Sequence, residues 1–286
     1  GYAELPFFHA ALQLDKAEKY RIVVEDEVYE DIVLQHPILP SKGVIYRNEN
    51  PRLIARNIAP ESLKGDWFPK RSAEVADPFI FRDVRGVNVY LNPFRYHAAT
   101  KTLRVVTRMV VRLEPTGEVL DEEFSAPRKR VAEMDTICQS LFANASEASV
   151  DRWSHEVGEK GGILVIHTPR DASAIQPYVQ WKRERGYKVK VVEVPTGTNV
   201  KNLIKQEYLN DPGLLYVQLV GDWSDIKSDL GTSQYKPMDP VLGCVAGNDA
   251  YPELIIGRFS ANSASQVTAQ VNKTINYEKN ADPSSD

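Results

Sequence analysis

The sequence is poor in the residues that most often mark a site. Its 286 residues hold two cysteines, five histidines and three methionines. With so few Cys and His there is no zinc-spaced cluster and no HExxH helix, and no glycine-rich phosphate loop is present, which leaves metal hydrolase and nucleotide enzyme classes without support. Cationic excess is missing too. Thirty-five Lys and Arg are set against 39 Asp and Glu, a formal net charge of −4, so there is no basic stripe for a nucleic-acid backbone. No apolar run approaches the roughly 20 residues of a membrane helix, and Gly1-Tyr2-Ala3-Glu4 lacks the basic and apolar regions of an export signal, which is expected to have been removed already.

What remains is an ordinary globular composition, 42% hydrophobic and 26% charged, with 18 prolines and 16 glycines. The length suits two domains. Residues 1–115 read as β-structure, because β-branched and aromatic runs at Tyr20–Glu25, Val87–Leu91 and Leu103–Leu113 alternate with Pro, Gly and Asn, and 96–102 reads as a hairpin connection. The expectation is a β-sandwich-like module. Residues 115–160 read as a linker with a helix near Ala132–Phe142, and the run Arg128-Lys129-Arg130 reads as a solvated face or a protease-sensitive site.

After Gly161-Gly162 the rhythm becomes strand and helix by turns. Strands are predicted at Ile163–His167, Val189–Val194, Leu214–Val220 and Glu253–Phe259, and helices at Ala174–Arg185, Val200–Leu209 and Ala264–Lys279. This pattern predicts an open, mostly parallel α/β sheet. In such sheets ligands gather at the carboxyl ends of strands, which puts Asp222 at a crevice. Asp249, the Tyr251 carbonyl and Glu253 follow on a loop with oxygen donors at alternate residues, read from the residues alone as a turn with solvated acids or as part of a hard-cation site. Cys138 and Cys244 are open to pairing or to remaining free, and each reads first as a small buried thiol.

The chain resembles the gingipain family of cysteine peptidases in both halves. The first half carries Ser41-Lys42-Gly43-Val44-Ile45-Tyr46-Arg47-Asn48-Glu49-Asn50-Pro51 and Asp77-Pro78-Phe79-Ile80-Phe81-Arg82-Asp83-Val84-Arg85-Gly86, similar to the family's propeptide. The second carries Leu219-Val220-Gly221-Asp222, Gly247-Asn248-Asp249 and Ile256-Gly257-Arg258-Phe259-Ser260, similar to the first half of its catalytic domain. The resemblance implies a zymogen: an inhibitory propeptide over 1–152, then the N-terminal subdomain of a caspase-like peptidase over 153–286. It implies processing between Arg152 and Trp153, Arg47 as a pseudosubstrate, and structural calcium at Asp222, Asp249, Tyr251 and Glu253. An arginine at both propeptide positions points to cleavage after arginine, since a guanidinium fork and an ammonium ask for different pockets.

The family's nucleophilic cysteine and its histidine are expected past residue 286, so no catalytic residue is assigned in this chain. Expected partners are peptide or protein substrates and the chain's own prodomain as inhibitor, without nucleic acid or a membrane span, in a secreted or cell-surface bacterial protein. The competing readings are a non-catalytic secreted binding or assembly module on the same fold, and a cell-surface peptidase that processes exported proteins.

Overall fold

The structure, a computed structural model, describes residues 1–119, 128–129, 131–145, 160–230, 237–247 and 249–280. The chain divides into two compact units, one of residues 1–78 and 86–120, the other of residues 79–85 and 121–286. In order the strands are β1 (Phe8–Gln13), β2 (Glu18–Val33), β3 (Trp67–Phe68), β4 (Ala73–Val75), β5 (Phe79–Phe81), β6 (Val84–Leu91), β7 (Phe94–His97), β8 (Thr102–Val119), β9 (Gly162–His167), β10 (Val189–Glu193), β11 (Thr198–Asn199), β12 (Leu214–Val220), β13 (Ile226–Lys227) and β14 (Ile255–Phe259). The α-helices are α1 (Ala132–Leu141), α2 (Gln176–Glu184), α3 (Lys201–Asn210) and α4 (Ala264–Lys279).

The first unit holds two antiparallel sheets. In one, β6 lies between β1 and β4; in the other the order is β2-β8-β7-β3. Val87 and Val89 of β6 are buried on the face they share with Ala73 of β4, which pairs with Leu91, whereas Ala11 of β1 pairs with Asn88 and is buried on the other face. The strands expected at 20–25 and 103–113 are the centres of a much longer ribbon, β2 with β8, paired from Glu18↔Val119 to Val33↔Thr102. Cross-strand ion pairs such as Arg104–Asp31 and Arg112–Glu25 explain why its length could not be read from hydrophobicity. The expected hairpin connection is a turn over 98–101 in which Lys101 takes φ 53°.

In the second unit β10-β9-β12-β14 form a wholly parallel sheet. Every residue of β9 is buried, as a strand covered on both faces must be. Alternation sorts the side chains: Ile163 and Val165 join Tyr178, Val179, Val267 and Val271 of α2 and α4, while Leu164 and Ile166 join Val200, Ile204, Tyr208 and Leu242. Burial of one such side chain contributes roughly 1.5–3 kcal/mol, and that driving force selects the register. α2 starts with a proline in its first turn and stops at Gly186, whose φ of 89° suits glycine. α4 is capped by the Ser263 hydroxyl, which accepts from the Gln266 N–H.

The order in which strands are added reverses between β9 and β12, since β10 lies on one side of β9 and β12 on the other. The crevice of the sheet therefore opens at the carboxyl ends of β9 and β12. Among the described residues no helix is long and apolar enough to cross a membrane.

Candidate functional site

At the crevice the backbone leaves the sheet through Thr168 and Gly221, and two arginines organise the turns that follow. Arg170 donates to both oxygens of buried Asp171, to Asp225 and to the Ala261 carbonyl, at 2.8–3.3 Å. Arg258, from β14, grips Asp239 through two bonds of 2.7 and 2.9 Å and also donates to the carbonyls of Gly221, Asp222 and Ile226. Its guanidinium holds the Asp239 carboxyl below the ordinary value of 3.8, outweighing the effect of burial. Gly221 takes φ 122°, and a Cβ there would come within 3.0 Å of Asp225, so a side chain is excluded from the turn.

Asp222 is half-buried beside this network. Its carboxylate accepts from the Ser260 hydroxyl at 3.0 Å, and its N–H donates to Asp225. Asp249 accepts from the N–H groups of Ile80 and Tyr251 at 2.9 and 2.8 Å. Glu253 is 1% exposed, and one of its oxygens accepts from the Val245 and Ala246 N–H groups. The other oxygen, Oε1, is buried without a hydrogen-bond partner, and desolvation pushes the carboxyl up to about 7.

A desolvated carboxylate with an unsatisfied oxygen, beside a second carboxylate, is the chemistry a hard cation satisfies, so the 249–253 loop fits calcium in part. The structure does not, however, gather the four expected ligands into one cluster. Among the described residues no three His, Cys, Asp or Glu side chains converge to hold an ion. Asp222 belongs to the Ser260 and Asp225 network, and Glu253 turns back onto its own loop.

Arg47 occupies an exposed turn in the first unit. The Glu49 N–H donates to the Tyr46 carbonyl at 3.0 Å, and the Glu49 carboxylate accepts from the Tyr46 N–H at 2.7 Å. Together these bonds fix the backbone on both sides of Arg47. Its side chain is exposed. Arg152 and Trp153 lie outside the described residues.

Both cysteines are free. Burial pushes Cys138 up to about 11 and raises Cys244 as well. Neither environment stabilises a thiolate.

Two buried arginines escaped the sequence reading. Arg128, expected on a solvated face, is 6% exposed; it donates to the Tyr208 and Asp211 carbonyls, both at 2.6 Å, and lies over the Tyr208 ring. Arg82 is 2% exposed and donates to the Leu214 and Pro212 carbonyls at 2.8 and 3.1 Å. Periodicity carries no signal for a charged side chain that ends on backbone carbonyls. A positive-φ arginine such as Arg82, at 61°, is equally silent in sequence.

Comparison with known proteins gives two family matches, Propeptide_C25 over residues 1–146 and Peptidase family C25 over residues 157–286. Gingipain R2 of Porphyromonas gingivalis is 36% identical over 291 aligned residues, covering 98% of this chain and 38% of that protein. Gingipain R1 of the same organism is also 36% identical, over 98% of this chain and 28% of its own length. Lys-gingipain HG66 is 24% identical over 85% of this chain and 14% of its own length. The chain thus spans less than two-fifths of these relatives. Among solved structures, the complex of P. gingivalis RgpB pro- and mature domains matches 51% of this chain and 73% of its own, at 32% identity and a TM-score of 0.46.

Proposed function

Because the chain belongs to peptidase family C25, a propeptide joined to the opening part of the peptidase domain, we propose that the whole protein is a secreted cysteine endopeptidase zymogen that cleaves after arginine. Its two antiparallel prodomain sheets act as a sandwich-like inhibitory module over 1–152, and the subdomain over 153–286 contributes the strand-end crevice. The observation that carries this reading is Arg47: a propeptide arginine at the tip of a turn pinned on both sides, with its guanidinium presented to solvent. A rigid loop that offers one basic side chain to a carboxylate pocket is the form of an inhibitor that mimics substrate. Greater likeness to the R-type relatives than to the Lys-type one supports arginine over lysine.

In the reaction proposed, a cysteine thiolate attacks the peptide carbonyl, backbone N–H groups stabilise the oxyanion, the C–N bond breaks as the amine leaves with a proton from the partner histidine, and water hydrolyses the thioester to release the carboxylate and return the thiol. Residues of this chain serve as scaffold: Arg170 and Arg258 hold the turns that leave β9, β12 and β14, fixing the floor on which substrate rests. Glu253 and Asp249 would hold calcium, which would compensate their charge and stiffen the loop ahead of β14.

The test is to express the whole protein and its Arg152→Ala variant and follow splitting and hydrolysis of paired arginyl and lysyl peptides, with calcium and with a chelator. The parent is expected to split at Arg152 and gain arginyl activity, more slowly under chelation, while the variant stays whole and silent. Absence of splitting and of hydrolysis in both would favour a non-catalytic module on the same fold.

A further inference from the structure

Helix α3 stops at Asn210, and the Tyr208 carbonyl of its last turn and the Asp211, Pro212 and Leu214 carbonyls of the turn beyond it take donors from outside the helix. They find them in two arginines that precede residue 146. Arg128 takes the Tyr208 and Asp211 carbonyls, Arg82 takes those of Pro212 and Leu214, and the Tyr208 hydroxyl donates back to the Arg82 carbonyl at 3.3 Å. The Arg128 guanidinium carbon sits 3.6 Å from the centre of the Tyr208 ring. Cations are favoured here because the helix dipole is negative at its carboxyl end. Since all four acceptors are neutral carbonyls, geometry rather than net charge selects the guanidinium fork.

Beside this polar receptor, Phe79 stacks on Tyr251 with ring centres 3.8 Å apart, and the Ile80 N–H donates to Asp249. Met134 of α1 shares a small core with Phe81 and with Leu215 of β12. Residues 79–85 accordingly cluster with the second unit although the chain on either side of them belongs to the first.

From these contacts we infer that residues 79–85, Arg128 and α1 form an anchor that keeps the propeptide on the peptidase subdomain after the connecting chain is cut. Pro212 and Leu214 lead into the amino end of β12, whereas Asp222 follows its carboxyl end, about 20 Å away along seven strand residues. The anchor is thus separate from the crevice and does not depend on Arg47. It rests on the zymogen reading for its biological sense, but its test requires no activity.

The experiment replaces residues 151–156 of this chain with the recognition sequence of a site-specific protease, cuts there, and measures association of the two fragments by size exclusion and by dilution of labelled material. The parent fragments are expected to stay together at about 1 µM. Arg82→Gln with Arg128→Gln should weaken them at least about 100-fold, through loss of buried charge-assisted bonds. Tyr208→Phe keeps the ring and removes only the hydroxyl bond, so with an unchanged circular dichroism spectrum it should weaken association a few-fold. Arg47→Gln should leave association unchanged. Separation of the parent fragments, equal affinity in the double variant and Tyr208→Phe, or release by Arg47→Gln would each overturn the anchor. An inactive whole protein whose fragments still hold would instead count against the peptidase reading alone.

Discussion

Arg258 shows how one side chain sets the shape of a whole crevice. Its guanidinium meets a carboxylate and three backbone carbonyls, so the turn after β12 closes around a charge rather than around packed side chains. The pairing makes a pH statement. Asp239 has a lowered folded pKa, so the stability it contributes is present above its unfolded value near 3.8 and is lost as pH falls through the lower folded value. Acid unfolding should therefore be less steep below pH 4 in Asp239→Asn than in the parent. At neutral pH the same variant should be destabilised by about 2 kcal/mol, less than the 3–5 kcal/mol of a fully buried pair because both side chains retain some exposure. Chemical denaturation at pH 3 to 7 measures both; equal acid slopes would show that Asp239 carries no such linkage.

Among the elements, the strands and helices of the parallel sheet were legible because burial imposes a period on them. Leu214–Val220 and Ala264–Lys279 were predicted with the bounds they have, and Val267 and Val271 do face the core as their spacing required. The prodomain strands were legible only at their apolar centres. β1 buries only Ala11 fully and β3 has only two residues, so neither offers a hydrophobic period to find. The short 3₁₀ turn at 239–243 was equally invisible, yet it packs so tightly that a Cβ on Gly243 would lie 2.4 Å from the Leu254 carbonyl oxygen. Backbone on backbone leaves nothing flexible to give way. Gly243→Ala is expected to destabilise the chain by about 1–3 kcal/mol, as other overpacked sites do, seen as a lower denaturation midpoint with unchanged m-value. A midpoint equal to the parent's would mean that the turn can shift at no cost.

For the whole molecule, the division into units cuts across the order of the chain, because 79–85 leaves the first unit to join the second and the chain then returns. This arrangement sorts the arginines by fate. Arg47, Arg52 and Lys64 lie exposed in the long connection between β2 and β3, with their side chains within reach of trypsin. Arg82 and Arg128 are buried with their guanidinium groups on carbonyls, so trypsin reaches them only after the second unit opens. Limited trypsin digestion of the folded chain, read by mass spectrometry, should give early cuts in 42–64 and none at 82 or 128. In the Arg82→Gln variant protection at Arg128 should fall, since the two arginines hold one stretch of backbone from Tyr208 to Leu214. Early cleavage at Arg82 in the parent would mean that 79–85 is a surface strap, and the chain would then have to be read as two successive units in sequence order.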